Sequence, residues 1–238
     1  MVMKEPNVSV LPEMNQVWQQ TLNWQPTIEQ QAQFQQLYQA IVTGNQKLNL
    51  TRITAPEEFW EKHLWDSLRG IVSLLPTNSV GMHSYAPLQK IIDIGTGAGF
   101  PGIPVAIALP HTEVTLLDST QKKIAFLNSL ITEMSLQNTR TLVGRAENVN
   151  QQTQQHKNYD IALVRAVAAA DVCANYALPF LKSEGVAILY RGNWTKAEET
   201  NLDNTAKKLG GKVENIEKFT TPLSHSLRHC IYLRKTKS

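Results

Sequence analysis

At 238 residues the chain is long for one domain and short for two, and an apolar content of 42% suffices for a sizeable core. A formal net charge of +3 permits an acidic partner without demanding one, and two cysteines, Cys173 and Cys230, set no disulfide framework. No stretch approaches the roughly 20 apolar residues of a bilayer span, and Met1–Glu13 lacks the apolar centre of a signal peptide, so a soluble cytoplasmic protein is expected.

Residues 1–26 read as a flexible segment, glutamine-rich from Met14 onward. From Thr27 a helix is expected, because Phe34, Leu37, Tyr38, Ile41 and Val42 recur on one helical face. Gly44–Arg52 reads as a polar loop. Thr54-x-x-Glu57, with Pro56 between, is the pattern of a capping box before a second helix. That helix would turn Phe59, Trp60, His63, Leu64, Leu68, Ile71, Val72 and Leu75 inward, with Trp18 and Trp24 as candidate packing anchors. Residues 27–88 are thus expected as an N-terminal helical layer, closed by a linking loop over 76–88 that is rich in Pro, Gly, Ser and Asn.

Residues 89–238 read as an α/β core. Lys90–Ile94 is a buried strand that breaks into Gly95-Thr96-Gly97-Ala98-Gly99-Phe100-Pro101-Gly102, a glycine turn leading into a helix. Gly97-x-Gly99-x-x-Gly102 also fits the dinucleotide fingerprint. Asp93 argues otherwise: a carboxylate at the strand tip gains nothing from a pyrophosphate but suits the ammonium and sulfonium of S-adenosylmethionine. Asp-x-Gly-x-Gly-x-Gly is the class I methyltransferase arrangement. Val114–Asp118 is the next strand, and Asp118 ends it at the distance expected of an acid that grips a ribose hydroxyl pair. Ser119 and Thr120 are placed to cap a helix from about Thr120 to Met134. A third strand, Thr141–Val143, leads to Gly144–Asn148, where an adenine would lie.

A polar loop over 150–158 precedes a fourth strand, Tyr159–Val164, that ends in Arg165. A helix from about Ala168 to Leu181, broken near Pro179, and a fifth strand, Gly185–Tyr190, follow. Trp194–Gly210 reads as a charged surface helix, and Lys212–Phe219 and Cys230–Arg234 as the last two strands. The expected architecture is a Rossmann-like, seven-stranded, mostly parallel sheet with an antiparallel last strand: the class I S-adenosylmethionine-dependent methyltransferase fold behind an N-terminal helical layer.

The chain resembles the bacterial small-subunit rRNA methyltransferase G family, also called glucose-inhibited division protein B. The resemblance rests on Asn49-Leu50-Thr51, His63-x-x-Asp66-Ser67, Asp93 to Pro104, Leu117-Asp118-Ser119, Lys122-Lys123-x-x-Phe126-Leu127, Arg145-Ala146-Glu147, Arg165-Ala166 and Arg228-His229, in the family's order. It implies methyl transfer from S-adenosyl-L-methionine to N7 of guanine 527 in the 530 loop of 16S rRNA. It carries cofactor contacts onto Gly95, Phe100, Asp118, Ser119, Thr120, Ala146, Glu147 and Arg165, beside the loop residues Asp93, Gly97 and Gly99. Active-site candidates fall on Asn49, Arg165 and Arg228. Ala98, Thr120-Gln121 and Val167 depart from the family pattern.

N7 of guanine carries an in-plane lone pair and no proton, so its methylation needs position rather than a general base. Arginine commonly grips O6 and N7 together; with N7 reacting, an arginine here can hold only O6 or a neighbouring phosphate. Taken alone, Asn49 also reads as a turn residue, and His63 with Asp66, one turn apart, as an ordinary pair on a helix surface. The expected partner is 16S rRNA or a small-subunit particle, with no metal and no membrane, and a monomer. A small-molecule methyltransferase would instead have an enclosed apolar substrate pocket, a regulator would bind the cofactor without turnover, and an oxidoreductase would bind nicotinamide.

Overall fold

The computed structural model describes residues 9–76 and 89–236. Seven strands form one sheet: β1 (Lys90–Ile94), β2 (Glu113–Asp118), β3 (Thr139–Val143), β4 (Tyr159–Arg165), β5 (Leu181–Arg191), β6 (Gly211–Thr220) and β7 (Leu227–Lys235). Their spatial order is β3-β2-β1-β4-β5-β7-β6. The pairings among β1 to β5 are parallel, and β7 runs antiparallel between β5 and β6. The expected seven strands and the antiparallel last one are therefore present.

Strand alternation divides the core in two. Ile91, Val114, Leu116, Ile161 and Leu163 pack on one face under the N-terminal helices, α5 (Gly102–Ala108) and α6 (Gln121–Glu133). Ile92, Ile94, Leu117, Ala162, Val164, Ala187 and Leu189 pack on the other face, under α7 (Ala146–Val149), α8 (Ala170–Ala177) and α9 (Lys196–Lys208). A sheet covered on both faces explains why β1 and β4 read as unbroken apolar runs. The connections leave β1 toward β2 on one side and β4 toward β5 on the other. The crevice beyond the carboxyl ends of β1 and β4 is thus a topological switch point, the place where ligands bind in such sheets.

The N-terminal segment is more ordered than its composition suggests. Within the segment expected to be flexible over 1–26, residues 15–26 are not loose: α1 (Asn15–Leu22) forms there, and Trp18, Leu22 and Trp24 are buried. Trp18 stacks against Phe34 and meets Trp24 and Trp60 edge-on. Apolar burial by two tryptophans holds in place a helix of eight residues, too short to be stable alone. Next, α2 (Ile28–Leu48) starts with a reciprocal Thr27–Gln30 capping box. It runs through the expected loop at 44–48, where Gly44 serves packing: a Cβ there would lie 2.5 Å from Phe126 Cε2. Asn49 ends it in the left-handed conformation.

The capping box at Thr54 does not form. Pro56 takes the first helical position and Ala55 becomes the N-cap of α3 (Pro56–Phe59) without a side-chain bond. The chain continues as a π-helix (Trp60–Trp65) and α4 (Asp66–Arg69), and buries most of the expected inner face, Val72 remaining half-exposed. Likewise Thr120 is the N-cap of α6 but its hydroxyl caps nothing; the Asp118 carboxylate takes the Thr120 N–H instead. After α8 the chain makes a short 3-10 turn at Leu178–Phe180, around Pro179, and β5 begins at Leu181, earlier than expected. The linking loop expected over 76–88 lies, apart from Pro76, outside the described residues.

The helical layer is tied to the sheet end by polar contacts. Tyr190 donates to Ser67 O at 2.8 Å and Tyr232 to Gly70 O at 3.1 Å. Buried Glu61 accepts from the N–H groups of Leu223 and Ser224 at 2.6 and 2.9 Å. Glu61 thus ties the π-helix to the loop between β6 and β7, and Tyr190 and Tyr232 tie α4 and Gly70 to β5 and β7.

Candidate active site

Two clefts open at the switch point. The first, of about 300 Å³, lies at the ends of β1, β2 and β3 and is lined by Gly95, Asp118, Ser119, Thr120, Ala146 and Glu147, with Ile94, Leu117, Val167 and Tyr176 among its apolar walls. The second, of about 320 Å³, is lined by Ile53, Lys62, His63, Asp66, Arg165, Tyr190, Arg191, Gly192 and Arg228. Ala166, in the left-handed conformation at φ 55°, lines both. The turn after β4 is thus the wall they share.

The glycine turn is laced by the two acids at the strand ends. Asp118 Oδ2 accepts from the Gly97 N–H at 3.0 Å and Oδ1 from the Thr120 N–H at 2.8 Å. Gly95 takes φ 71°, and a Cβ there would come 2.6 Å from Val167 Cγ2. Asp93 sits deeper than expected. It is fully buried, and its Oδ2 accepts from Thr96 Oγ1 at 2.6 Å and from the Gly102 N–H at 2.7 Å. The carboxylate assigned from sequence to an ammonium therefore first holds the turn, leaving Oδ1 buried and without a partner. Burial pushes its carboxyl up to about 6, against the hydrogen bonds from Thr96 and Gly102.

Four of the expected cofactor residues line neither cleft: the buried Asp93, and Gly97, Gly99 and Phe100. Gly97 contributes its N–H to the lacing, and Gly99 faces Ile103 and Leu127. Phe100 is buried between Phe59 and His63, with the Arg165 guanidinium 5.7 Å from its ring centre.

Arg165 leaves β4 into the second cleft, 15% exposed, and is held on several sides. Its Nη1 donates to Lys62 O at 2.6 Å and to Asp66 Oδ2 at 3.2 Å, and its Nη2 lies 3.3 Å from His63 Nδ1. His63 and Asp66 are therefore not a surface pair, as their spacing suggested; both are buried. A π turn, a geometry frequent at functional sites, carries His63. Burial first, then the nearby charges of Arg165 and Lys62, hold the His63 imidazole down to about 3, so it is neutral at physiological pH.

Arg228 differs from its neighbours in the cleft. Arg191 is committed to Ala168 O and Glu198. The Arg228 side chain makes no hydrogen bond among the described residues; its Nε is buried without an acceptor, in a long ion pair 3.9 Å from Asp66 Oδ1. Asn49 lines neither cleft. It is exposed at the end of α2, and Thr51, two residues on, is the member of that segment that reaches the site, with Oγ1 2.9 Å from His63 Nε2. Thr51, His63 and Asp66 are the site residues that residue-level reasoning passed over, although all three stand in motifs that carried the resemblance.

The family described as rRNA small subunit methyltransferase G matches residues 30–229. The chain belongs to this family. It is 63% identical to the ribosomal RNA small subunit methyltransferase G of Nostoc punctiforme over 95% of this chain and 91% of that one. It is 47% identical to the protein of the same name from Thermosynechococcus vestitus over 99% of both. Among solved structures it is similar to a variant of the 16S rRNA (adenine(1408)-N(1))-methyltransferase from Catenulisporales acidiphilia, with a TM-score of 0.54 at 15% identity over 63% of this chain and 86% of that one. TYW2 from Pyrococcus horikoshii in complex with MeSAdo aligns with a TM-score of 0.51 at 17% identity, over 66% of this chain and 60% of that one. The fold is that of the class I S-adenosylmethionine-dependent methyltransferases. Among the described residues no three His, Cys, Asp or Glu side chains cluster to hold a metal, and no helix is long and apolar enough to cross a membrane.

Proposed function

We propose that the chain transfers a methyl group from S-adenosyl-L-methionine to N7 of guanine 527 in 16S rRNA, acting in the cytoplasm as a monomer on the rRNA or on a small-subunit particle. The observation that carries this reading is the meeting of the two clefts at Ala166. One has an acidic floor beneath a glycine turn; the other is walled by arginines. A donor in the first and a base in the second would face each other across a single residue.

The first cleft fits the cofactor by chemistry. Each oxygen of Asp118 keeps an acceptor position beyond the one used for the turn, and Glu147 lines the same cleft, so ribose hydroxyls would meet carboxylates. Ser119, Thr120 and Ala146 complete the edge where the adenine would lie, and the orphaned Asp93 Oδ1 gives the turn a negative potential suited to the cationic end. When bound, S-adenosylmethionine supplies a methyl group on a positively charged sulfur. The N7 lone pair forms the new bond, the carbon–sulfur pair returns to sulfur, and the guanine ring takes up the positive charge.

No proton has to be removed, which suits a cleft whose His63 is neutral and tied to Arg165 and whose Asp66 carboxylate is occupied by Arg165. The protein's part is to hold N7 about 3–3.5 Å from the methyl carbon in line with sulfur, a placement that can contribute about 7–11 kcal/mol. Arg228, with donors to spare, is assigned to guanine O6 or a flanking phosphate, and Arg165 supports the same wall. An open, cationic second cleft suits a splayed RNA base and speaks against an enclosed apolar substrate.

The test is incubation with labelled S-adenosylmethionine and rRNA, or small-subunit particles, from a strain lacking the enzyme. N7-methylguanine is then mapped by reduction and strand scission. Scission at guanine 527 is the expected result; label that stays off rRNA, or appears at another base, overturns the assignment.

A further inference from the structure

We infer that His63 is a positioning residue for Arg165: its Nδ1 fixes the orientation of the guanidinium that walls the substrate cleft. This rests on the proposed methyl transfer. The assignment of roles follows from hydrogen-bond capacity. A guanidinium only donates, so the 3.3 Å contact between Arg165 Nη2 and His63 Nδ1 requires Nδ1 to accept. The ring proton must then sit on Nε2, where it donates to Thr51 Oγ1 at 2.9 Å; the same oxygen accepts the Ile53 N–H at 3.0 Å.

The ring has little freedom to turn. It stacks on Phe100 with centres 4.2 Å apart and planes 10° from parallel, and meets Phe59 edge-on at 4.9 Å. With Nη1 committed to Lys62 O and Asp66, and one Nη2 hydrogen to His63, the donors left for a ligand are Arg165 Nε–H and the second Nη2–H. His63 thus decides which edge of the fork faces the cleft. A protonated ring could not accept, and would add a cation beside Arg165 and Lys62; the burial described above keeps the ring neutral.

Two variants separate this role from simple packing. His63→Phe keeps a flat ring against Phe100 and removes the acceptor; His63→Asn loses the ring but offers an amide oxygen near the place of Nδ1. In single-turnover methylation of the rRNA, His63→Phe is expected to slow transfer about tenfold and His63→Asn to recover most of that loss, with the affinity of either variant for S-adenosylhomocysteine changed less than about threefold. In an Arg165→Ala background the His63→Phe change is expected to alter the rate less than about twofold, because the two residues act as a unit. Imidazole ¹⁵N spectra at pH 7 should show Nε2 protonated and Nδ1 bare, with the Nδ1 resonance moving in Arg165→Ala.

A His63→Phe enzyme as fast as the parent, an equal loss in both backgrounds, or a ring protonated on Nδ1 would overturn the inference. If the parent protein transfers no methyl to rRNA at all, it is the proposed function that fails. The ¹⁵N spectra and their response to Arg165→Ala still judge the contact in that case.

Discussion

Replacing His63 by asparagine should cost less stability as the pH falls. The imidazole is buried at 7% exposure and held down to about 3, whereas in the unfolded chain it titrates near 6.5. Between those values the unfolded state binds a proton that the folded state refuses, so acidification favours unfolding. At pH 5 the unfolded histidine is almost fully charged and the folded one neutral. The linkage then amounts to about 2 kcal/mol relative to pH 7.5, where it is close to zero. His63→Asn removes this term. Whatever the variant loses at pH 7.5 through its broken contacts, that deficit should shrink by about 2 kcal/mol at pH 5. Asp93 acts in the opposite sense in both proteins. With its folded carboxyl raised to about 6, the folded state holds its proton the more tightly, and stability rises by about 1 kcal/mol as pH falls over the same range. From these two groups the parent should therefore lose about 1 kcal/mol between pH 7.5 and 5 while the variant gains about 1 kcal/mol. Urea unfolding of both proteins at pH 7.5, 6 and 5, followed by tryptophan fluorescence, measures the difference. A deficit that is constant or grows on acidification would mean that the ring is protonated inside the protein.

Three further perturbations bear on the turn and the layer above it. Gly102→Ala would put a Cβ 2.2 Å from Leu116 Cδ2 and 2.8 Å from Asp93 Oδ2, so it should destabilise by about 1–3 kcal/mol and lower the melting temperature. Asp118→Ala leaves the Gly97 and Thr120 N–H groups without their acceptor; titration calorimetry with S-adenosylhomocysteine should show at least about a tenfold loss of affinity at modest cost in stability. In Glu61, burial raises the carboxyl's affinity for its proton, but hydrogen bonds from Ser224, Leu223 and Thr221 outweigh it and hold the group below its ordinary value. Its stabilising contribution is present above the unfolded pKa and lost on acidification, and Glu61→Ala should speed amide hydrogen exchange at Leu223 and Ser224 selectively, at a cost of about 1.5–3 kcal/mol.

The core of the fold was legible because it is local. β1, the glycine turn and the acid ending β2 lie within thirty residues of one another and each carries its own pattern. What escaped was decided across the fold. Nothing in the spacing of His63 and Asp66 tells whether that face meets water or protein. The answer lies in Tyr190 and Tyr232 bonding to Ser67 and Gly70, which carries the face over the sheet end. Trp18 and Trp24 are legible as packing anchors, but that they order residues 15–26 is decided by their meeting each other and by Trp18 stacking on Phe34 of α2. Asn49 stood in the matching motif beside Thr51, and only the left-handed end of α2 separates the residue that stops a helix from the one that reaches the site.

The two acids at the strand ends act first on the turn itself. The sequence pattern offers Asp93 to an ammonium, yet one of its oxygens bridges Thr96 and Gly102 and so closes the turn on itself. The discrimination against a diphosphate survives on different ground. A dinucleotide turn offers its phosphates free N–H groups at a helix start, and here the Gly97 and Gly102 N–H groups already point to carboxylates. A turn whose amides are occupied by internal anions has little left to give an external one, and its orphaned Asp93 Oδ1 adds negative potential where a phosphate would have to sit. The same lacing that holds the glycines in place therefore disfavours an anion at the turn itself.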